Sequence, residues 1–90
     1  MVKKIFKVTN ESGIHARPAT LLVNVAMDYD SDISLAALKK EVDFKSIMGV
    51  MSLGIYSGTV IEVSANGSDE QEAIEAIKNK LIELNLAKEI

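Results

Sequence analysis

The sequence predicts an α+β fold in which a four-stranded antiparallel sheet is covered on one face by three helices. Four short segments alternate apolar and polar residues, and three segments repeat apolar residues at helical spacing, in the order β-α-β-β-α-β-α. Because the strands and the helices each carry one apolar side, the simplest way to bury both is to pack them together. A chain of 90 residues is too short for two cores, so we expect one domain, residues 1–90.

The first strand leads through a short turn into the first helix. Phe6 and Val8 lie on the side of the chain opposite two lysines, which is the period of a half-buried strand. Apolar residues then recur at helical spacing, at Ala19, Leu22, Val23 and Ala26. Proline is tolerated in a first helical turn but not deeper, and Pro18 is the only proline. The helix is therefore predicted to begin at about Ala16 or Arg17.

Two strands and a short helix are predicted in the middle of the chain. The second strand is indicated by alternating apolar positions, namely Ile33, Leu35 and Ala37. Val42 and Phe44 predict a short third strand. Residues 46–53 are apolar almost all round, and Ser46 suits an N-cap while Gly54 suits the position after the helix end. This segment predicts one short helix.

The last strand and the last helix follow in the final third of the chain. Gly58 and Gly67 bound a strand whose apolar residues share one face, and the helix after it has a regular apolar stripe. The stripe consists of Ile74, Ile77, Leu81 and Leu84. Ser68 as N-cap and Gln71 three residues later predict a capping box at the start of this helix.

The composition excludes several classes of function. Cysteine is absent and there is one histidine, so we expect no disulfide, no metal site and no bound cofactor. The net charge is −3 and no basic cluster exceeds two neighbours, which argues against direct binding of nucleic acid. No apolar run approaches the ~18 residues of a membrane span, and no signal-peptide core is present. We therefore expect a cytoplasmic protein without membrane insertion.

The only histidine and the only arginine stand two residues apart, immediately before the first helix. A phosphoryl group on the imidazole of His15 would face the unpaired N–H groups of the helix end and the guanidinium of Arg17. This arrangement indicates reversible phosphorylation. The alternative is that His15 only precedes the helix and Arg17 is a solvated residue of its first turn. Spacing alone leaves both interpretations open.

The short helix predicts a docking surface, because a helix on a sheet buries only one face. Its apolar residues are Ile47, Met48, Val50 and Met51, and some of them should be exposed. Methionine adapts to partners of different shape, which favours docking, whereas the alternative is that these residues fill a loose core. Ser46 could be an N-cap alone, but a phosphate there would be stabilised by the helix dipole.

Two segments of this sequence resemble HPr, the family of histidine-containing phosphocarriers of the bacterial phosphoenolpyruvate-dependent sugar phosphotransferase system. They are Gly13–Ala19, which reads GIHARPA, and Lys45–Leu53, which reads KSIMGVMSL, at the separation found in the family. The resemblance extends over essentially the whole chain. It implies an open-faced β-sandwich that carries phosphoryl groups and is not itself an enzyme.

The resemblance also implies a role for each motif. His15 would accept a phosphoryl group on Nδ1 from phosphorylated enzyme I and donate it to enzyme IIA domains of sugar permeases, with Arg17 stabilising it. Ser46 would be phosphorylated from ATP by HPr kinase/phosphorylase, and the product would act as corepressor for a catabolite-control transcription regulator. Ile47, Met48 and Met51 would lie on the docking face. We expect the protein to be a monomer.

The chain departs from the common pattern of the family at two places. Relatives usually carry a glycine in the second hairpin, whereas residues 37–41 contain none, so the turn type there is open. Relatives also tend to be basic at the end of the first helix, but Asn24, Met27 and Asp28 carry no positive charge. This difference is expected to weaken attraction to acidic partners. The alternative function is a purely regulatory protein that acts through phosphorylated Ser46.

Overall fold

The computed structural model describes all residues, Met1–Ile90, as one antiparallel sheet with three helices packed against it. The elements are β1 (Val2–Val8), α1 (Ala16–Met27), β2 (Asp32–Ala37), β3 (Lys40–Asp43), α2 (Ile47–Ser52), β4 (Val60–Asn66), α3 (Glu70–Glu83) and β5 (Ala87–Glu89). The strand order is β3-β2-β4-β1-β5. The predicted α+β architecture is confirmed, and the sheet has one more strand than expected. None of the helices is long and apolar enough to cross a membrane.

The additional strand β5 lies at the edge of the sheet, where it pairs with the end of β1. It was missed because its three residues are too few to show an alternating pattern. The carboxylate of Glu89 lies 3.2 Å from the Lys78 ammonium and 3.4 Å from that of Lys4. The hydrogen bond with Lys78 is the main reason why the pKa of Glu89 is lowered, and the pKa of Lys4 is raised chiefly by Glu89. These ion pairs help to hold the short strand in place.

The strand register brings the apolar side chains to the helix-covered face of the sheet. Phe6 of β1 is paired with Ile61 of β4, and Leu35 of β2 is paired with Val63. All four are fully buried, and they belong to a single cluster of 23 buried hydrophobic residues. Because side chains alternate along a strand, the neighbouring Ile5 points to the uncovered face and is partly exposed.

The predicted capping box at the start of α3 is wrong. The N-cap is Asp69 rather than Ser68, and it is Glu70 that accepts a hydrogen bond from Gly67 N–H, at 3.1 Å. The Asp69 carboxylate instead accepts hydrogen bonds from the backbone of the loop before β2, where Ser31 N–H lies 3.0 Å away, and from the Ser31 hydroxyl. The Ser31 hydroxyl is the main cause of a lowered pKa at Asp69. This contact between distant loops sets the start of the helix.

The β2–β3 hairpin retains a tight turn without glycine. Ala37 pairs with Lys40, so the loop consists of two residues, Leu38 with φ of 52° and Lys39 with φ of 70°. Two positive φ values in a two-residue loop are typical of a type I′ turn. The strand that follows ends at Asp43, one residue before the predicted Phe44, whose buried side chain nevertheless joins the core.

Candidate functional site

His15 lies at the N-terminus of α1, where its side chain is exposed. It is the N-cap residue in extended conformation, and its carbonyl oxygen accepts the first helical hydrogen bond, from Ala19 N–H at 3.0 Å. Its imidazole makes no capping hydrogen bond, so the ring nitrogens are not occupied by the helix. The helix begins at Ala16, which confirms the predicted boundary.

The loop before His15 is held against the segment that follows α2. Ile14 is buried, and its N–H donates to the carbonyl oxygen of Ile55 at 3.2 Å. Gly13 has φ of 66°, and a Cβ at this position would collide with the same carbonyl oxygen and with Tyr56 Cα. The close approach of two backbones therefore requires glycine here. This contact brings the segment after α2 next to the loop that carries His15.

Several hydrogen-bond donors at the start of α1 are free. The backbone N–H groups of Ala16 and Arg17 make no hydrogen bond within the protein, and Pro18 has no N–H to offer. The Arg17 side chain is exposed and forms no ion pair with another residue. Free N–H groups, the positive end of a helix and a guanidinium together can bind the oxygens of a phosphoryl group.

A cleft of about 220 Å³ adjoins His15 and Arg17. Its remaining lining residues are Asn10, Pro18, Leu21, Leu84 and Leu86. The sequence did not indicate that Asn10, Leu84 and Leu86 belong to this site. No local pattern could have indicated them, because they meet only when the turn after α3 packs beside β1.

The predicted docking residues lie on the outer side of α2. The exposed fraction is 82% for Met48, 41% for Ile47 and 38% for Met51, whereas that of Val50 is 1%. Of the two interpretations left open, core filling therefore applies to Val50, and the other three side chains form an exposed apolar surface, here called the α2 surface. Exposed methionines on a packed helix can adapt to a partner protein.

Ser46 is the N-cap of α2. Its Oγ accepts a hydrogen bond from Gly49 N–H at 3.0 Å, as expected for a capping serine, and the next residue, Ile47, belongs to the α2 surface. The N–H groups of Ile47 and Met48 make no hydrogen bond within the protein. A negative group on Ser46 would therefore lie beside free donors at the start of α2. No group of three or more histidine and carboxylate side chains is arranged to hold a metal ion.

Comparison with known proteins gives consistent matches. A family model described as "PTS HPr component phosphorylation site" matches residues 2–83. The histidine-containing phosphocarrier protein of Mycoplasma is 40% identical, with a TM-score of 0.93 and coverage of 94% of this chain and 97% of the other. HPr of Bacillus anthracis is 42% identical, with a TM-score of 0.81 and coverage of 88% and 94%. The Bacillus subtilis catabolite repression protein Crh, which crystallised as a swapped dimer, is 43% identical, with a TM-score of 0.72 and coverage of 86% and 88%.

Proposed function

This chain belongs to the HPr family of the sugar phosphotransferase system, and from that premise we propose that it carries a phosphoryl group on His15. Members of this family are phosphocarrier proteins rather than catalysts. The observation that carries the proposal is the exposed imidazole at the start of α1, next to free backbone N–H groups and the unpaired Arg17 guanidinium. No other histidine could take its place.

The chemistry consists of two displacements at phosphorus. A ring nitrogen of His15, Nδ1 by analogy with the family, attacks the phosphoryl group of the donor, so that an N–P bond forms as the donor's bond to phosphorus breaks. An acceptor protein then attacks the same phosphorus and releases the imidazole. The Ala16 and Arg17 N–H groups and the Arg17 guanidinium are the donors available to the phosphoryl oxygens in both steps.

The proposed donor is phosphorylated enzyme I, and the proposed acceptors are enzyme IIA domains of sugar permeases, all met in the cytoplasm. One exposed surface has to serve several partners, and the α2 surface suits this because methionine side chains adopt many shapes. Met27, at the end of α1, is 62% exposed, and the last turn of that helix holds no basic residue. Apolar contact is therefore expected to contribute more than charge attraction to partner binding here.

We further propose that Ser46 is a regulatory phosphorylation site. HPr kinase/phosphorylase would transfer the γ-phosphoryl group of ATP to Ser46 Oγ, and the product would be a corepressor for a catabolite-control transcription regulator. The support is the position of Ser46, at the start of α2 and beside the α2 surface. A phosphate there would be stabilised by the free N–H groups of Ile47 and Met48 and would change the charge of a docking surface.

The test of the carrier function is incubation with phosphoenolpyruvate and enzyme I. Wild type and a Ser12→Ala control should acquire an acid-labile phosphoryl group, since phosphoramidates hydrolyse in acid, and His15→Ala should acquire none. Arg17→Lys keeps the charge but loses the two-pronged guanidinium, so its transfer should be slower, by about tenfold. An acid-stable product, or equal labelling of His15→Ala, would contradict the carrier function.

The second candidate is a purely regulatory function, which is favoured by the similarity to Crh, whose name refers to catabolite repression. In that case the protein acts through phosphorylated Ser46, and His15 is used little. The same chain, offered both donors, distinguishes the two functions. Labelling of Ser46 by ATP and HPr kinase, with no transfer from phosphoenolpyruvate to His15, would select the regulatory one.

A further inference from the structure

The turn after α3 forms one wall of the His15 cleft. Leu86 N–H donates to the carbonyl oxygen of Leu81 and Asn85 N–H to that of Ile82, both at 3.0 Å, while Asn85 has φ of 54°. These two bonds, together with the left-handed conformation of Asn85, form a Schellman motif, which closes the end of the helix. The motif returns the chain so that Leu84 and Leu86 line the cleft beside His15.

The backbone of this turn is joined to the loop that carries His15. The carbonyl oxygen of Leu86 accepts hydrogen bonds from Thr9 N–H at 2.9 Å and from Asn10 N–H at 3.2 Å. Leu86 is buried, so water cannot readily replace these bonds. The end of β1 is therefore attached to a well-anchored part of the chain.

Asn10 extends this attachment towards His15. Its side-chain amide donates to the carbonyl oxygen of Gly13 at 2.9 Å, and its own carbonyl oxygen accepts from Gly13 N–H at 2.9 Å. Both polar groups of the Gly13 backbone are thus held by one residue. Gly13 stands two positions before His15. The residue between them, Ile14, donates its N–H to the carbonyl oxygen of Ile55. The loop is fixed from two sides, and Asn10 provides one of them.

We propose that Asn10 is a positioning residue for phosphoryl transfer, because its side-chain amide holds Gly13 in the loop that carries His15 while its backbone N–H bonds to the turn after α3. This inference rests on the proposed carrier function. Asn10 acts through Gly13 rather than on the phosphoryl group, and its effect is to hold the imidazole in line with an incoming phosphorus atom. Displacement reactions are sensitive to such alignment, since a shift of about 1 Å in the attacking atom can lower the rate by up to about a hundredfold.

The test compares Asn10→Ala, which removes the donor, with Asn10→Asp, which keeps the size but cannot donate to a carbonyl oxygen. Asn79→Ala and Asn79→Asp, at an exposed position of α3, are matched controls. We expect both Asn10 variants to lower the maximal rate of His15 phosphorylation about tenfold, with the half-saturating concentration of enzyme I unchanged and both controls at the wild-type rate. A loss in Asn10→Asp alone would assign the effect to charge and would contradict the proposal.

Nuclear magnetic resonance supplies a readout that a general loss of stability would not produce. In Asn10→Ala we expect faster amide exchange at Gly13 and shifted ring resonances of His15, while core amides of β4 exchange at the wild-type rate. Unchanged signals at both residues would overturn the proposal. Wild type that takes up no phosphoryl group would overturn the carrier function itself, whereas equal transfer by wild type and Asn10→Ala would overturn only the positioning role.

Discussion

The position of the His15 imidazole depends on the backbone conformation of single residues as well as on side-chain chemistry. The side chains of His15 and Arg17 are exposed and make no hydrogen bond or ion pair within the protein, so their replacement should leave the domain intact. Gly13 makes no chemical contribution, yet its conformation and its contact with Ile55 determine where the imidazole lies. A substitution can therefore damage the site without touching a reactive atom.

Gly13→Ala is predicted to destabilise the protein more than Gly54→Ala does. Both glycines have positive φ, 66° and 61°, so alanine pays a similar conformational cost at each, about 1 kcal/mol. A Cβ at Gly54 would meet nothing within 4 Å, whereas one at Gly13 would collide with the Ile55 backbone. We expect a total loss of roughly 2–4 kcal/mol for Gly13→Ala. Urea denaturation of the two variants measures the difference, and equal losses would contradict the close packing of this loop.

At the level of secondary structure, one hairpin turn and one helix start depend on more than the preferences of the local sequence. Leu38 and Lys39 both adopt positive φ in the β2–β3 hairpin, and neither is a residue that prefers this conformation. The start of α3 depends on a carboxylate, Asp69, that bonds to another loop rather than to its own helix. The pairing of β2 with β3 holds the two hairpin residues in this conformation, and the contact with the loop before β2 sets the start of α3.

Replacing the hairpin loop by Asn-Gly is predicted to stabilise the protein. The double variant Leu38→Asn, Lys39→Gly puts the preferred type I′ residues where both φ values are positive, which should raise the free energy of unfolding by about 1–2 kcal/mol. Lys40→Gly, in the adjoining strand, is the control and should lower it, because glycine weakens a strand. Thermal unfolding of the three proteins provides the measurement. A lower melting temperature for the double variant would mean that the turn is not strained.

The stability of the protein is predicted to fall in acid partly through Asp69. Its pKa in the folded protein is lowered below the ordinary value of 3.8, mainly by the Ser31 hydroxyl. The resulting stabilisation is present above that ordinary value and is lost as the pH falls through the lower, folded-state pKa. Asp69→Asn should therefore be less stable near neutral pH and lose less stability on acidification.

Glu70 and Glu89 have lowered pKa values as well, so part of the acid dependence should remain in Asp69→Asn. Asp32→Asn, an exposed change at the start of β2 with no side-chain hydrogen bond to lose, is the matched control. Urea denaturation at several pH values between about 2 and 7 gives the curves. If the curve of Asp69→Asn parallels that of wild type, the contact with Ser31 contributes nothing to the acid dependence.

Across the domain, the two proposed phosphorylation sites are the N-cap residues of two helices that contact each other, α1 and α2. The helices pack against each other, and the segment after α2 bonds to the loop before His15 through Ile55 and Ile14. A partner that contacts both the α2 surface and His15 would meet a charge placed on Ser46, which directly precedes Ile47 of that surface. Phosphorylation of one site is expected to affect the other through partner binding, with no change of fold.

Phosphorylation of Ser46 is predicted to slow the phosphorylation of His15 by enzyme I. The added charge of about −1.5 to −2 lies beside the apolar α2 surface and disfavours docking, while the start of α2 stabilises it. Ser46→Asp carries less charge and should slow the reaction less. The initial rates of the unmodified protein, the phosphorylated protein and Ser46→Asp at matched salt concentration are the measurement. Ser52→Asp, at the exposed end of α2, controls for charge at another position of the helix. Equal rates for the three Ser46 forms would show that the two sites do not communicate.

Local patterns were sufficient to predict the order of the first seven elements and the position of His15 and Arg17 at the start of α1. Alternation placed Phe6 and Val8 in the core, Pro18 limited the start of α1, and Ser46 and Gly54 marked the ends of α2, because each depends on neighbours within a few residues. The two segments that resemble HPr also indicated the family and the candidate site residues.

Contacts between distant segments of the chain could be identified only from the tertiary structure. The helix start at Asp69 depends on a partner in the loop before β2, strand β5 exists only because β1 offers it an edge, and the Leu86 carbonyl reaches Asn10 from the other end of the chain. None of these pairings leaves a local signal, since a hydrogen bond between remote residues requires only that the fold bring a donor and an acceptor together. The order of the first seven elements thus follows from local patterns, whereas β5 and the walls of the His15 cleft depend on the fold.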